Sequence, residues 1–404
     1  MAGFLGNQPP KVPLTSADIA DGTITNDDLA GSIADGKITG LSASKLTGAL
    51  PAISGASLTN LPSEITKSTS EPAGDTNPSG GVGSLWLRTT TGEMYCCTDA
   101  TTDNNVWTNI GDGTGVQPAY NIDYLVVAGG AGGGGNTYGG GGGAGGYRSS
   151  WNNETSGGGG SSENAIEARE GDGSLTVTVG AGGAAGSASA VGTSGSNSVF
   201  STITSLGGGG GADDNNHGVA GGSGGGGPRS NSVKTGGAGT ANQGYAGGSG
   251  SSSATGAGGS GGGGAGAVGV SVTTAPMQGD GGAGQTSTIS GSSVVRAGGG
   301  GGAGHYSYGD SRAGAGGTGG GGKGSGQTSG GTSTSVAGTA NTGGGGGGGN
   351  HPSYLPNASA GGSGIVILRM PTANYSGTTT GSPTVTTSGS DTILTYTGSG
   401  SYTA

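Results

Sequence analysis

The side chains best suited to acid–base, metal or nucleophilic chemistry in this 404-residue chain are three histidines, two cysteines and a few carboxylates. His217, His305 and His351 stand in three separate segments, and no HxxxH or HExxH pairing occurs. Asp213 and Asp214 lie close to His217 and can touch a cation, but adjacent carboxylates serve equally well as solvated surface. Cys96 and Cys97 are vicinal, which disfavours a relaxed disulfide, and without a nearby histidine they cannot close a zinc site. They read as thiols of one strand, one facing in and one facing out. The stretch 317–324 reads G-x4-G-Lys323-Gly324 and lacks the Ser or Thr that a phosphate loop requires. No apolar core is available to hold the carboxylate pair of a glycosidase. The expectation is therefore no catalysis, no metal and no cofactor.

What remains is binding chemistry. Five short inserts interrupt the glycine-rich part of the chain. The first, 147–154, carries Tyr147, Arg148 and Trp151; the second, 213–217, carries His217; the third, 228–231, carries Arg229. The fourth, 305–312, carries His305, Tyr306, Tyr308 and Arg312, and the fifth, 350–357, carries His351 and Tyr354. Aromatic, basic and amide side chains on loops held by a rigid scaffold have the composition of a binding surface. The competing reading is that they are solvated turns with no partner.

The scaffold that must hold these inserts is made of glycine. Of the 108 glycines, 92 fall in the 285 residues from Tyr120 onward, about a third of that segment against roughly 7% in ordinary proteins. Uninterrupted blocks stand at 139–143, 157–160, 207–211, 224–227, 261–264, 298–302 and 343–349. With 29% hydrophobic and 4% aromatic residues, apolar burial cannot offset the entropy of ordering so much glycine. Backbone hydrogen bonds must do so, or the segment is disordered. Left-handed three-residue helices have no internal hydrogen bonds, and without side chains they approach closely enough to bond to one another. The glycines are clustered, not at every third position, so the pattern is not collagen. Short apolar runs precede or follow the blocks: 122–128, 175–179, 200–206, 267–274, 293–297 and 364–369, with 384–387 and 392–396 beyond them. These predict strands that nucleate packed polyglycine helices.

Upstream, 1–18 reads as an extended arm. Ile19-Ala-Asp-Gly-Thr-Ile24 returns as Ile33-Ala-Asp-Gly-Lys-Ile38, and aliphatic residues continue at intervals of three to five to Leu61. A single thin chain cannot bury them, whereas several identical chains about one axis can, so 19–63 predicts an oligomeric stem; a disordered linker is the alternative. Residues 64–82 read as a linker and 83–112 as a small antiparallel β-module with Trp86 and Trp107 as its core. A second linker at 113–119 leads to the glycine-rich region, 120–370, and a Thr/Ser-rich β segment, 371–404. The first residues lack the pattern of a secretory signal, and no apolar run of 18 residues occurs. A net charge of −10 with 13 dispersed basic residues argues against a nucleic-acid partner.

The segment 46–62, after the two Ile-Ala-Asp-Gly repeats, resembles the stem of bacteriophage tail-fibre proteins, notably marine and cyanophage ones. The pattern at 86–93 and 97–103 is similar to small β-modules embedded in such fibres. The series of strand and glycine block, closing with Gly361-Gly-Ser-Gly-Ile-Val-Ile-Leu-Arg369, resembles the polyglycine domain of phage distal adhesins. The resemblance implies a homotrimer joined to the virion tail, or to an adaptor protein, through the N-terminal arm. It also implies a glycine-rich domain whose loops contact a host surface polysaccharide or outer-membrane protein. The overall expectation is an all-β, fibrous protein with a thin trimeric stem, a small antiparallel β-module and a polyglycine-II-rich domain. The rival expectation is a self-assembling extracellular filament or sheath subunit; an ice-binding polyglycine protein ranks third, since the threonine spacing is irregular.

Overall fold

The structure, a computed structural model, describes residues 65–111, 119–135, 138–187, 189–252, 257–273, 279–305, 313–328, 331–350 and 358–404. The arm and stem expected at 1–63 lie outside the described residues. The chain divides into two compact units, Met1–Gly115 and Val116–Ala404. Both are all-β, with no α-helix among the described residues.

In the first unit, β1 (Thr66–Ser68), β2 (Leu85–Arg88), β3 (Met94–Asp99) and β4 (Val106–Gly111) form one sheet in that order. The β2–β3–β4 meander matches the expected module. β1, by contrast, falls in the stretch read as a linker and pairs parallel to β2, with Thr66 opposite Trp86. The chain after β1 straps over one face of the sheet. Trp86 Nε1 donates to the Ser70 carbonyl (2.9 Å) and Trp107 Nε1 to the Thr76 carbonyl (3.2 Å), with the two rings edge to face at 5.8 Å. Asn77 and Asn105 pin the strap: Asn105 Nδ2 donates to Asn77 Oδ1 (2.8 Å) and Asn77 Nδ2 to Asp103 Oδ1 (2.7 Å). The polar composition of the strap predicts a linker; its hydrogen bonds make it part of the module. Cys97 is buried and Cys96 half-buried, and both are free thiols.

The second unit contains β5 (Tyr120–Val127), β6 (Tyr147–Ser149), β7 (Ile166–Ala168), β8 (Ser174–Thr178), β9 (Ser198–Phe200) and β10 (Ile203–Ser205). Further along come β11 (Gln285–Ser287), β12 (Val294–Arg296), β13 (Gly326–Thr328), β14 (Gly331–Ser333) and β15 (Ile365–Pro371). The last are β16 (Thr379–Thr380), β17 (Thr384–Ser388), β18 (Asp391–Tyr396) and β19 (Gly400–Thr403). One sheet runs β17-β18-β15-β5-β6, with β7 also on β5; another runs β10-β9-β8-β19-β16. Tyr124, Val126, Val366, Leu368, Leu394 and Tyr396 of the first sheet pack on Val177, Phe200 and Tyr402 of the second. Alternate residues of β5 and β15 (Leu125, Val127, Ile365 and Ile367) pack on the other face with Ala144, Ala265, Ala297 and Ile289. Both strands are thus buried on two sides, which explains their unbroken apolar runs. Residues 371–404, set apart in the sequence reading, supply β16–β19 to these two sheets.

β5 and β10 run on into glycine helices, and β15 is entered from one. The helix 128–135, continuing β5, shows the rule. Gly129, Gly132 and Gly135 donate to the carbonyls of Ser196, Thr193 and Ala190, all at 3.0 Å. Gly130 and Gly133 donate to Gly362 and Ser359, and Ala131 and Gly134 to Gly143 and Gly140. In return, carbonyls 130 and 133 accept from Gly183 and Gly186, 129 and 132 from Gly208 and Gly211, and 131 and 134 from Gly346 and Gly349. Partners advance by three residues on every side, so the helix has three residues per turn and six hydrogen-bonded neighbours. None of its glycines has positive φ, which makes it the left-handed extended helix of the polyproline-II type, here about 25 Å long. A Cβ on Gly129, Gly132 or Gly135 would sit about 2.0 Å from the carbonyl oxygen of residue 181, 184 or 187. Only glycine permits this spacing.

The segments 139–146, 207–212, 223–227, 258–265, 297–304 and 343–350 are buried throughout and form the interior of the lattice with 128–135. They contain six of the seven glycine blocks named above. The seventh, 157–160, is instead a 3-10 turn with Gly158 and Gly159 at φ of +65° and +77°. Outer helices carry a side chain on the solvent side at every third residue: Ala181, Ala184 and Ser187; Thr235 and Ala238; Ala315 and Thr318. Two expectations change here. The run 200–206 is a hairpin, β9–β10, turning at Ser201 (φ +50°). The run 267–274 is no strand in its described part, 267–273; it is an outer lattice segment whose amides at Gly269 and Val270 bond to Ala246 and Asp280.

Candidate functional site

The lattice has two ends. At one, the helices meet the strands: Ala128 bonds to Gly146, Gly145 to Gly343, and Ala297 to Thr342. Stepping along by threes leads to the opposite end, where Gly349 bonds to Gly134, Ala303 to Gly139, Ala212 to Gly226 and Gly304 to Ser325. Side chains larger than those of Ala and Ser do not enter the lattice interior, so an insert must emerge at one end or the other. Which end is set by the direction of the helix it follows.

The described parts of four inserts emerge at the far end. Arg229 places its guanidinium carbon 4.6 Å from the centre of the Tyr138 ring, and the His305 ring stacks on Tyr138 at 4.8 Å with 4° between planes. Two expected residues are thus brought together by a third that sequence reasoning missed. Tyr138 is 2% exposed and has φ of +63°, a conformation bulky residues rarely adopt. It is the single aromatic between two glycine blocks, and that isolation was the available signal. Burial, and secondly the charge of Arg229, hold the His305 imidazole below its ordinary value. Beside it, Asn350 Nδ2 donates to the Gly304 carbonyl at 2.7 Å.

His217 lies in the neighbouring loop. Its Nδ1 accepts the Thr235 backbone N–H (3.0 Å), which leaves Nε2 carrying the proton in the neutral ring. Lys234 Nζ donates to the Asn215 carbonyl at 3.0 Å. Asp213 is buried and accepts from Asn216 (2.6 Å), while Asp214 accepts from Asn215 (3.0 Å). Among the described residues no group of three potential ligands gathers to hold a metal ion. The amides of Gly317, Gly321, Gly322 and Gly324 bond within the lattice, so 317–324 forms no phosphate cradle. Tyr306, Tyr308, Arg312, His351 and Tyr354 lie outside the described residues.

The first insert sits at the strand end, away from the others. Tyr147 is fully buried in the core between sheet and lattice, and burial raises its phenol pKa. It presents no surface for a receptor, a correction that follows from its being the inward residue of β6. Arg148 forms a two-pronged pair with Glu163 (Nε–Oε1 2.8 Å, Nη2–Oε2 2.6 Å), and Glu163 also accepts the Tyr124 hydroxyl (2.8 Å). Trp151 stays half-exposed beneath the Arg369 guanidinium, 4.0 Å from its ring centre.

No curated protein and no solved structure matches the chain. A family model described as a glycine-rich domain matches residues 108–371, which span β5, the lattice and β15. With about two-thirds of its length so matched, this chain belongs to the glycine-rich domain family.

Proposed function

We propose that the protein is a tail-fibre component of a virion that binds the host cell surface through the far end of its glycine lattice. One observation carries this reading: half-exposed Arg229 and exposed His217 stand at one end of a hydrogen-bonded lattice with buried Tyr138, His305 and Asn350, the five coming from separate chain segments. A lattice of that kind positions short loops at little entropic cost on binding, as receptor recognition by loops requires. In the proposed assembly, 1–18 joins a tail or adaptor protein and 19–63 forms the stem of a homotrimer. Three copies of each weak loop contact combine into avidity. The target is a surface polysaccharide or outer-membrane protein.

The test is adsorption of the purified full chain to host cells, with virus attachment as the competed signal. Replacing 305–312 and 350–357 by Gly-Ser is expected to abolish adsorption and leave the oligomer intact. Unchanged adsorption would refute the loop assignment. Open-ended polymers in the electron microscope, without adsorption, would replace the reading with that of a filament subunit.

A further inference from the structure

At the strand end of the second unit, remote in sequence from the far-end inserts, lies a cleft of about 140 Å³ lined by Asn121, Asp123, Trp151, Arg369, Pro371 and Asp391. We propose that this cleft is a saccharide subsite that takes one neutral pyranose unit. Its lining decides the ligand class. Asp123 and Asp391 supply acceptors, the Asn121 amide supplies both donor and acceptor, and Arg369 supplies donors. An anion would face two carboxylates, and a cation would face the guanidinium. A neutral polyol satisfies both kinds of group with its hydroxyls. Pro371 and the part of Trp151 that Arg369 leaves uncovered supply the apolar wall for the C–H bonds of a sugar ring. Drug-sized pockets run to roughly 300–1,000 Å³, so this smaller cleft suits a single ring.

The groups are already fixed in place. Arg369 Nε donates to Asp391 Oδ2 at 2.8 Å, while its Nη1 and Nη2 make only long contacts of 3.4 Å to the carbonyls of Ile289 and Ser388. Its guanidinium also lies over Trp151. Trp151 Nε1 is tied to Thr288 Oγ1 (3.0 Å), and the Thr288 backbone N–H donates to Glu154 (2.9 Å). Ser150 Oγ donates to Asp123 Oδ1 at 2.9 Å and fixes this carboxylate in the cleft wall. Burial raises the Asp123 pKa, opposed first by the Ser150 hydrogen bond and then by the charge of Arg369. A ligand hydroxyl donated to this carboxylate replaces lost hydration. Little ordering remains to be done on binding.

The experiment is saturation-transfer NMR and calorimetry on the full chain with glucose, galactose, mannose, N-acetylglucosamine and rhamnose as free sugars. One or more should bind saturably, and Asn121→Ala and Asp123→Asn should each weaken that binding about tenfold or more. Thermal melting of both variants should stay at the wild-type value, because Asn121 is exposed and Asn at 123 can still accept from Ser150. No saturable binding of any of the five sugars overturns the proposal. So does binding that both variants leave unchanged. Binding lost only when 305–312 and 350–357 are replaced would move the sugar to the far end, overturning the subsite while supporting the loop reading. The two proposals therefore fail separately.

Discussion

Gly142 tests the lattice most directly. It lies in the buried helix 139–146, donates to the Gly346 carbonyl (2.9 Å) and accepts from the Gly300 N–H (2.8 Å). In Gly142→Ala the new Cβ would stand 2.2 Å from the Ala131 oxygen and 2.7 Å from the Gly132 oxygen, both backbone. Relief requires the helices to part by about 1 Å, which stretches bonds near 2.9 Å beyond useful range. Overpacking costs roughly 1–3 kcal/mol. Two buried amide or carbonyl groups left unpaired add about 1–3 kcal/mol each. The total, about 3–9 kcal/mol, is comparable to the whole stability of many domains. At roughly 2–4 °C per kcal/mol, the melting temperature should fall by at least about 6 °C. Gly398→Ala is the control, since a Cβ there meets nothing within 4 Å and φ is not positive; it should be neutral or stabilising by about 0.4–1 kcal/mol. Calorimetry or circular dichroism of the two variants decides. If Gly142→Ala melts within about 2 °C of Gly398→Ala, close helix contact is not what holds the domain.

His305 gives a pH dependence. Burial and Arg229 hold its pKa below the ordinary 6.5, so below pH 6.5 the unfolded chain takes up a proton that the folded chain refuses. Stability should therefore fall as pH drops from 7.5 to 5, and His305→Phe, which keeps a ring on Tyr138, should lose less over the same range; parallel melting curves would count against the buried stack. Glu163→Gln removes the charge that pairs with Arg148 and accepts from Tyr124. The site is half-buried, so the expected loss is about 1–3 kcal/mol by chemical denaturation, and a change under about 0.5 kcal/mol would place the pair with ordinary surface ion pairs.

By itself the sequence determined the class and the material of the protein. Blocks such as 343–349 have one stable use when buried, because only glycine lets carbonyl and amide of neighbouring three-residue helices meet without side-chain clash. The apolar runs at 122–128 and 364–369 were legible as strands for the ordinary reason that they are β-branched and unbroken. The meander with Trp86 and Trp107 was legible from its turns. Long-range pairing was not. β1 lies in a polar stretch that looks like any linker, and its place beside β2 comes from parallel pairing of Thr66–Ser68 with Trp86–Arg88. The run 267–273 has strand composition but adopts lattice geometry, because Gly269 sits against the Gly261 carbonyl and donates to that of Ala246. Non-glycine residues at three-residue spacing, as in Ala181, Ala184 and Ser187, marked the outer helices, yet their meaning appears only once the inner ones are placed. The candidate site divides in the same way. Residue types named Arg229, His305 and Trp151, but the direction of each helix decided that the first two meet on Tyr138 while the third stands at the other end with Arg369. Tertiary structure also decided that Tyr147 is core, since a strand sends alternate side chains to opposite faces and only packing says which face is inside.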